Sequence, residues 1–150
     1  MSAVSTELVA MTKNPEDFEY ALRMKREALG PHIAERWGWD DALQRTQQAG
    51  SWQALSFFRI MRDGAAIGAV SLEEADSHLT LIGLYILPAF QGKGSGTQVL
   101  RQVVFDAAAR GLPVRLRCLK WNPALSLYRR HGFLVIGETE THFQMERPLS

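Results

Sequence analysis

The sequence predicts an α/β (α+β) domain: a mixed, mostly antiparallel central sheet of six or seven strands flanked by helices. Three observations predict it. Two β-rich apolar runs, Trp52 to Met61 and Ala66 to Glu73, are joined by Arg62-Asp63-Gly64-Ala65, and Asp-Gly is a strong hairpin signal. An apolar run from Leu79 to Leu87 leads through a glycine loop into a helical pattern. Val114, Leu116 and Cys118 then alternate with Arg115 and Arg117, the period of a half-buried strand.

Taken in order, Glu7 to Met11 is a short first strand. Asn14-Pro15-Glu16-Asp17 reads as a helix start: Asn accepts from free N–H groups, Pro tolerates the first position, and the acids suit the dipole. Phe18, Leu22 and Leu29, with Ala21 and Ala28, form its buried face until Gly30-Pro31 interrupts it. A second helical piece spans His32 to Trp37, and Asp40 caps a third running to Gly50. In the elbow Glu35-Arg36-Trp37-Gly38-Trp39-Asp40, aromatics beside acids could line a pocket for a cationic amine, or simply pack under the helix turn.

A reversal at Ala75-Asp76-Ser77 leads to the strand His78 to Leu87. The middle of the chain is thus an antiparallel meander. The continuous apolar stretch from Leu79 to Leu87 predicts a central strand covered on both sides, with Gly83 as a bulge. Val99, Leu100, Val103, Val104, Ala107 and Ala108 then recur at helical spacing, while Arg101, Gln102 and Arg110 face water. Gly111 stops that helix. After the strand Val114 to Leu119, a short helix from Ala124 to His131 closes at Gly132, and Phe133 to Ile136 with Thr141 to Met145 make a final pair of strands. No linker, repeat or low-complexity stretch divides residues 1–150, so one domain is expected.

Composition bounds the function. The 150 residues are 46% hydrophobic and 22% charged, ordinary for a globular chain able to bury a core. Net charge is +1, from 17 basic and 16 acidic residues, so no nucleic-acid or anionic-membrane partner is expected. One cysteine, Cys118, excludes an internal disulfide and a cysteine-based zinc site, and His32, His78, His131 and His142 lack ligand-like spacing; no metal is expected. No apolar stretch approaches the roughly 18 residues of a membrane span, and the first residues carry no signal pattern, so a cytoplasmic location is the expectation.

The loop Gln91-Gly92-Lys93-Gly94-Ser95-Gly96 carries the chemistry. Its three glycines turn the backbone tightly and leave N–H groups uncovered where a helix start has no internal acceptors and the dipole is positive. The product is an anion cradle suited to a phosphate or diphosphate. It is not a Walker A loop, which would need glycine at Leu87 and Ser or Thr at Gly94. Nor is it a dinucleotide fingerprint, which needs a third glycine at Thr97 or Val99. ATP use is disfavoured because no Walker lysine-serine or Mg²⁺ carboxylate follows the loop.

The loop resembles the acyl-CoA loop of the GNAT superfamily of N-acetyltransferases, Q/R-x-x-G-x-G/A, here Gln91, Gly94 and Gly96. The strand before it, the helix after it, and Trp121-Asn122-Pro123-Ala124 with Tyr128 and Gly132-Phe133 match that family in the same order. The resemblance implies a sheet with two splayed central strands, Leu79–Leu87 and Val114–Leu119, and acetyl-CoA as cofactor in the gap. Backbone groups of Leu84 to Leu87 would otherwise stay unpaired there and are expected to bond the pantetheine arm. By the same resemblance Gln91, Gly92, Lys93, Gly94, Ser95, Gly96 and Thr97 hold the diphosphate. Asn122 bonds the pantetheine arm or caps its own helix.

The implied reaction is direct transfer of an acetyl group to the primary amine of a small molecule or peptide. A backbone N–H near Ile86 would steady the thioester oxygen, and Tyr128, whose hydroxyl ordinarily titrates at about 10, would protonate the leaving thiolate. The base is less plain. Many protein-lysine members carry a glutamate where this chain has Thr80, which is no base. Glu73 ranks first in its place, acting through a water; Glu74, Glu35 and His142 are alternatives, and His78 reads as a solvated turn residue. Glu35, Trp37, Trp39, Thr80 and His142 are the expected acceptor-binding residues. Self-pairing of the terminal strands would make a homodimer. The rival reading is a non-catalytic acyl-CoA sensor that binds the ligand to order itself for a protein partner.

Overall fold

The computed structural model describes residues 6–36 and 38–149, the side chains of 31–36 excepted. Among the described residues, seven strands form one sheet in the order β1-β2-β3-β4-β5-β7-β6. Contacts group the chain into two compact units, Met1–Ser71 with Gly83–Val99, and Leu72–Ile82 with Leu100–Ser150.

In the first unit β1 (Thr6–Ala10) pairs antiparallel with β2 (Ser56–Arg62), from Thr6↔Arg62 to Ala10↔Phe58. Helix α1 (Pro15–Arg36) starts as its sequence demands, the Asn14 Oδ1 accepting the Asp17 N–H at 2.7 Å. The expected break at Gly30-Pro31 does not occur: the backbone stays helical to Arg36. Proline removes one backbone bond, and a helix anchored by buried Tyr20, Ala21, Leu22, Met24 and Ala28 absorbs that loss. Helix α2 (Asp41–Ser51) is capped by Asp40, whose carboxylate accepts the Leu43 N–H at 3.1 Å. None of its residues is buried; it is tied to α1 by Arg45, which donates to both Glu19 oxygens at 2.5 and 2.6 Å, and by Gln48 Nε2 on the Phe18 carbonyl at 2.8 Å.

The expected strand at Trp52 begins only at Ser56. Residues 52–55 instead bend so that Trp52 and Leu55 both enter the core with Met11, Tyr20, Ala21, Met24, Phe57 and Ala69. Strand alternation would have sent alternate residues to the other face. The bend is held by the Lys13 ammonium, which donates to the carbonyls of Trp52 and Leu55 and lies 4.8 Å over the Trp52 ring. Burial lowers the Lys13 pKa.

Behind this core sits a buried carboxylate. Asp17 accepts from the Thr12 N–H at 2.8 Å and from Arg59 Nη2 at 2.8 Å. The Arg59 guanidinium lies 3.9 Å over the Tyr20 ring, and the Tyr20 hydroxyl donates to the Gly68 carbonyl at 2.5 Å. Burial would raise the Asp17 pKa, but the bonds from Arg59 and Thr12 outweigh it and hold the carboxyl below its ordinary value.

The hairpin between β2 and β3 (Ala65–Glu74) turns as predicted, with φ of +50° at Asp63 and +80° at Gly64, the pattern of a type I′ turn. Strand β4 (Leu79–Ile86) departs from the expected two-sided cover, because Ile82 is 45% exposed. Gly68 is required by close approach: a Cβ there would stand 2.0 Å from the Tyr85 carbonyl oxygen. At Gly83 a Cβ would lie 2.7 Å from the Tyr85 hydroxyl, so this glycine makes room for a ring.

In the second unit β4 pairs in parallel with β5 (Val114–Leu119) over Leu79↔Val114, Thr80↔Arg115 and Leu81↔Leu116. On its other side β5 pairs antiparallel with β7 (His142–Arg147) over six positions, and β7 carries β6 (Leu134–Glu138) with an irregularity between Val135 and Gly137. Helix α3 (Ser95–Ala109) buries Val99, Leu100, Val103 and Ala107, while Ala108 is exposed, so its apolar stripe is narrower than predicted. Gly111, at φ +71°, ends it, and the Leu112 N–H returns to the Ala107 carbonyl at 2.9 Å. Helix α4 (Leu125–Arg130) follows.

The Asp17 pair gives a testable stability profile. Arg59→Ala leaves a buried carboxylate without its cation and is expected to cost about 3 kcal/mol at pH 7 by chemical denaturation. A depressed carboxyl contributes stability above its unfolded pKa, near 4, and loses it as pH falls through the folded value. The gap between wild type and Arg59→Ala is therefore expected to narrow as pH falls below about 4.

Candidate functional site

The chain leaves β4 by a fixed route. The Leu87 N–H bonds the Ile67 carbonyl at 2.8 Å, and a 3-10 turn over Pro88–Phe90 brings the Gln91 N–H to the Pro88 carbonyl at 3.3 Å. Gly92 and Gly94 then take φ of +75° and +88°, with nothing within 4 Å of either missing Cβ. These are left-handed conformations that side chains resist. Gln98 N–H to the Gly94 carbonyl, 3.0 Å, begins the helical ladder. Among the described residues, no main-chain carbonyl accepts a hydrogen bond from the N–H groups of Gly92 to Thr97. Gln91, Gly92, Lys93 and Gly94 are exposed, Gly96 and Thr97 half-buried. Open amides, a helix start and space above two glycines fit a diphosphate.

Two side chains hold this loop in place. Gln91 Nε2 donates to the Ile86 carbonyl at 2.9 Å. Arg62 Nη1 donates to the Lys93 carbonyl at 3.1 Å and to the hydroxyl of buried Ser95 at 2.8 Å. The expectation that the backbone groups of Leu84 to Leu87 stay unpaired is therefore corrected at two of them: the Leu87 N–H bonds the Ile67 carbonyl, and the Ile86 carbonyl accepts from Gln91. Leu84 and Ile86 remain half-buried on β4.

The groups read as chemical lie mostly in the second unit. Tyr128 is buried on α4, its ring 5.8 Å from that of Phe133. Asn122 stands in the turn before α4, which begins at Leu125, one residue later than expected; its Oδ1 accepts the Ala124 N–H at 2.9 Å. Thr80 is half-buried opposite Arg115. Glu73 and Glu74 are both exposed at the end of β3, but Glu74 takes Arg110 Nη1 at 2.9 Å, whereas Glu73 has no ion pair among the described residues. His142 begins β7, its Nδ1 at 2.7 Å from the Thr141 hydroxyl; burial, then the Arg117 charge, lower its pKa and keep the ring neutral at pH 7. Burial pushes the Cys118 thiol up to about 11, which removes it as a nucleophile.

At the helical elbow, Trp39 N–H points to Asp41 Oδ1 at 3.4 Å, and its ring stands 3.9 Å from where a Gly30 Cβ would be. Asp41 also pairs with Arg45 at 2.8 Å. Trp37 and the side chain of Glu35 lie outside the described residues. Sequence reasoning missed Arg62 and Tyr85. Arg62 ends a strand immediately before the Asp-Gly turn, a position that could have been weighed; Tyr85 was concealed within an apolar run, and burial pushes its hydroxyl up to about 12.

Residues 19–133 match the Acetyltransferase (GNAT) family. The chain belongs to the GNAT acetyltransferase family. The PaiA N-acetyltransferase of Thermoplasma acidophilum, solved in complex with coenzyme A, superposes with a TM-score of 0.76 at 20% identity, covering 96% of this chain and 99% of that one. The ribosomal-protein-S18-alanine N-acetyltransferase of Escherichia coli gives 0.72 at 17% identity, over 97% and 95%. An acetyltransferase of Thermus thermophilus gives 0.75 at 18% identity, over 99% of each. At these identities the likeness shows the GNAT fold. No curated protein matches the sequence.

Acetyl-CoA is the acyl donor of the GNAT family, and the loop makes its use testable. Gly94→Asp places a carboxylate in the cradle and a side chain at φ +88°. Calorimetry is expected to show coenzyme A binding at least about tenfold weaker than wild type, from like-charge repulsion and backbone strain together.

Proposed function

We propose that the chain, acting as one domain over residues 1–150, is an acetyl-CoA-dependent N-acetyltransferase. It moves an acetyl group directly to the primary amine of a small molecule or peptide. The observation that carries the reading is the run of open amides from Gly92 to Thr97 in a chain of the GNAT family. When bound, acetyl-CoA supplies the acetyl group as a thioester. Gly92, Lys93, Gly94, Ser95, Gly96 and Thr97 hold the diphosphate through main-chain N–H groups, and Lys93 adds a cation.

Leu84 and Ile86 border the pantetheine arm, with the Ile86 N–H as donor to the developing oxyanion. Leu87, whose N–H and carbonyl both bond within the fold, adds apolar surface only. Asn122 uses its Oδ1 on its own turn, so its Nδ2 amide is the group left to donate to the arm. Tyr128 gives its phenolic proton to the departing thiolate. Glu73 takes the proton of the acceptor ammonium through a water; its freedom from ion pairing favours it over Glu74, and neutral His142 is the second candidate. Thr80, His142 and the elbow with Glu35, Trp37 and Trp39 border the acceptor. A peptide amine stays within the reading because the Escherichia coli neighbour is named for a protein substrate.

The second reading, an acyl-CoA sensor without turnover, is favoured by Thr80 at the position of the family's usual base. Free-thiol release from acetyl-CoA with a broad amine panel separates the two. Turnover is expected; tight binding with no thiol release on any amine would favour the sensor. Tyr128→Phe is expected to lower kcat by about 10- to 100-fold with KM for acetyl-CoA little changed. Unchanged turnover at all pH values would remove the acid role.

The homodimer of this reading forms along β6, the terminal strand of the sheet, where Leu134, Val135 and Ile136 are 60%, 43% and 56% exposed. Light scattering is expected to give twice the chain mass for wild type and the chain mass for Ile136→Lys.

A further inference from the structure

Arg62, from outside the loop and its helix, bonds the loop twice through one nitrogen. A trans peptide points its carbonyl and the following N–H in opposite directions. By drawing the Lys93 carbonyl toward β2, Arg62 turns the Gly94 N–H outward, to the exposed side of the loop. The second bond reaches the hydroxyl of Ser95, the buried first residue of α3, and so ties the start of the helix to β2.

We propose that Arg62 is the positioning residue of the diphosphate loop. It holds Lys93 to Ser95 in the receiving conformation, so that coenzyme A meets a preformed cradle and does not have to order one. The inference rests on the acyl-CoA reading of the loop. The loop motif itself does not contain this residue: its Gln91 side chain is engaged with the Ile86 carbonyl, and the bracing cation comes from another strand.

Calorimetry and steady-state kinetics on the full chain test it. Arg62→Ala is expected to weaken coenzyme A about tenfold or more and to raise KM for acetyl-CoA by a similar factor, with kcat changed by less than about twofold. Arg62→Lys, which keeps a cation and donors, is expected to restore most of the affinity. Ser95→Ala, which removes one of the two bonds and little volume, is expected to weaken binding by a smaller factor, and serves if Arg62→Ala fails to fold. Dephospho-coenzyme A, which lacks the 3′-phosphate, is expected to lose as much affinity as coenzyme A on Arg62→Ala. A loss confined to coenzyme A would make Arg62 a direct ligand of the 3′-phosphate and overturn the positioning role. Undiminished binding by Arg62→Ala and Ser95→Ala, with wild type binding normally, would overturn it as well. Wild type that binds no coenzyme A would instead defeat the acyl-CoA reading, a distinct result.

Discussion

A backbone that passes from a strand into a helix without covering its own amides is the constraint on which the site depends. Unpaired N–H groups are costly in a folded chain unless water or a ligand meets them. Left alone, the loop would relax by bonding itself. Three features oppose that: positive φ at Gly92 and Gly94, which only glycine adopts cheaply; Gln91, which fixes the entry by gripping the Ile86 carbonyl; and Arg62, which fixes the exit at Lys93 and Ser95. Each keeps donors pointing outward. Together they make an anion the cheapest partner.

Electrostatics act here locally. The whole chain is nearly neutral at +1, so no long-range field draws the ligand in. Charge is supplied at the loop by Lys93 and by Arg62, with the helix start adding partial positive charge. The groups proposed for proton transfer differ in kind. Glu73 is exposed and keeps no ion partner among the described residues, which suits a base working through water; His142 is kept neutral by burial and by a neighbouring arginine. A reaction that needs a neutral amine can use either, and Thr80 can replace neither.

How far the sequence was legible follows from how local each cause is. The Asp63-Gly64 turn, the Asn14 and Asp40 caps, the alternation of Val114, Leu116 and Cys118, and the glycine loop all act within a few residues, and all stand where their residues predict. Pro31 misled because a helix held by burial tolerates one missing bond, and burial is not local. Trp52 misled because the bend that seats it is held by Lys13, 39 residues away in sequence. The site divides the same way. Gln91, Gly94 and Gly96 declare themselves by spacing, whereas Arg62 reaches the loop across 31 residues and Tyr85 matters through Gly83 and Gly68. Contacts of that range leave no periodic trace.

Strand β2 joins the buried ion pair of the first unit to the loop. Arg59 and Arg62 are three residues apart on it, so pleating sends them to opposite faces. Arg59 engages Asp17 of α1 together with the core beneath Tyr20; Arg62 engages Lys93 and Ser95. Between them Ile60 is fully buried. A shift of β2 by one residue would exchange the two faces, stranding the Asp17 carboxylate and releasing the loop at once. The buried pair thus fixes register as much as it adds stability. The register, in turn, is what delivers a guanidinium to a loop that carries no arginine of its own.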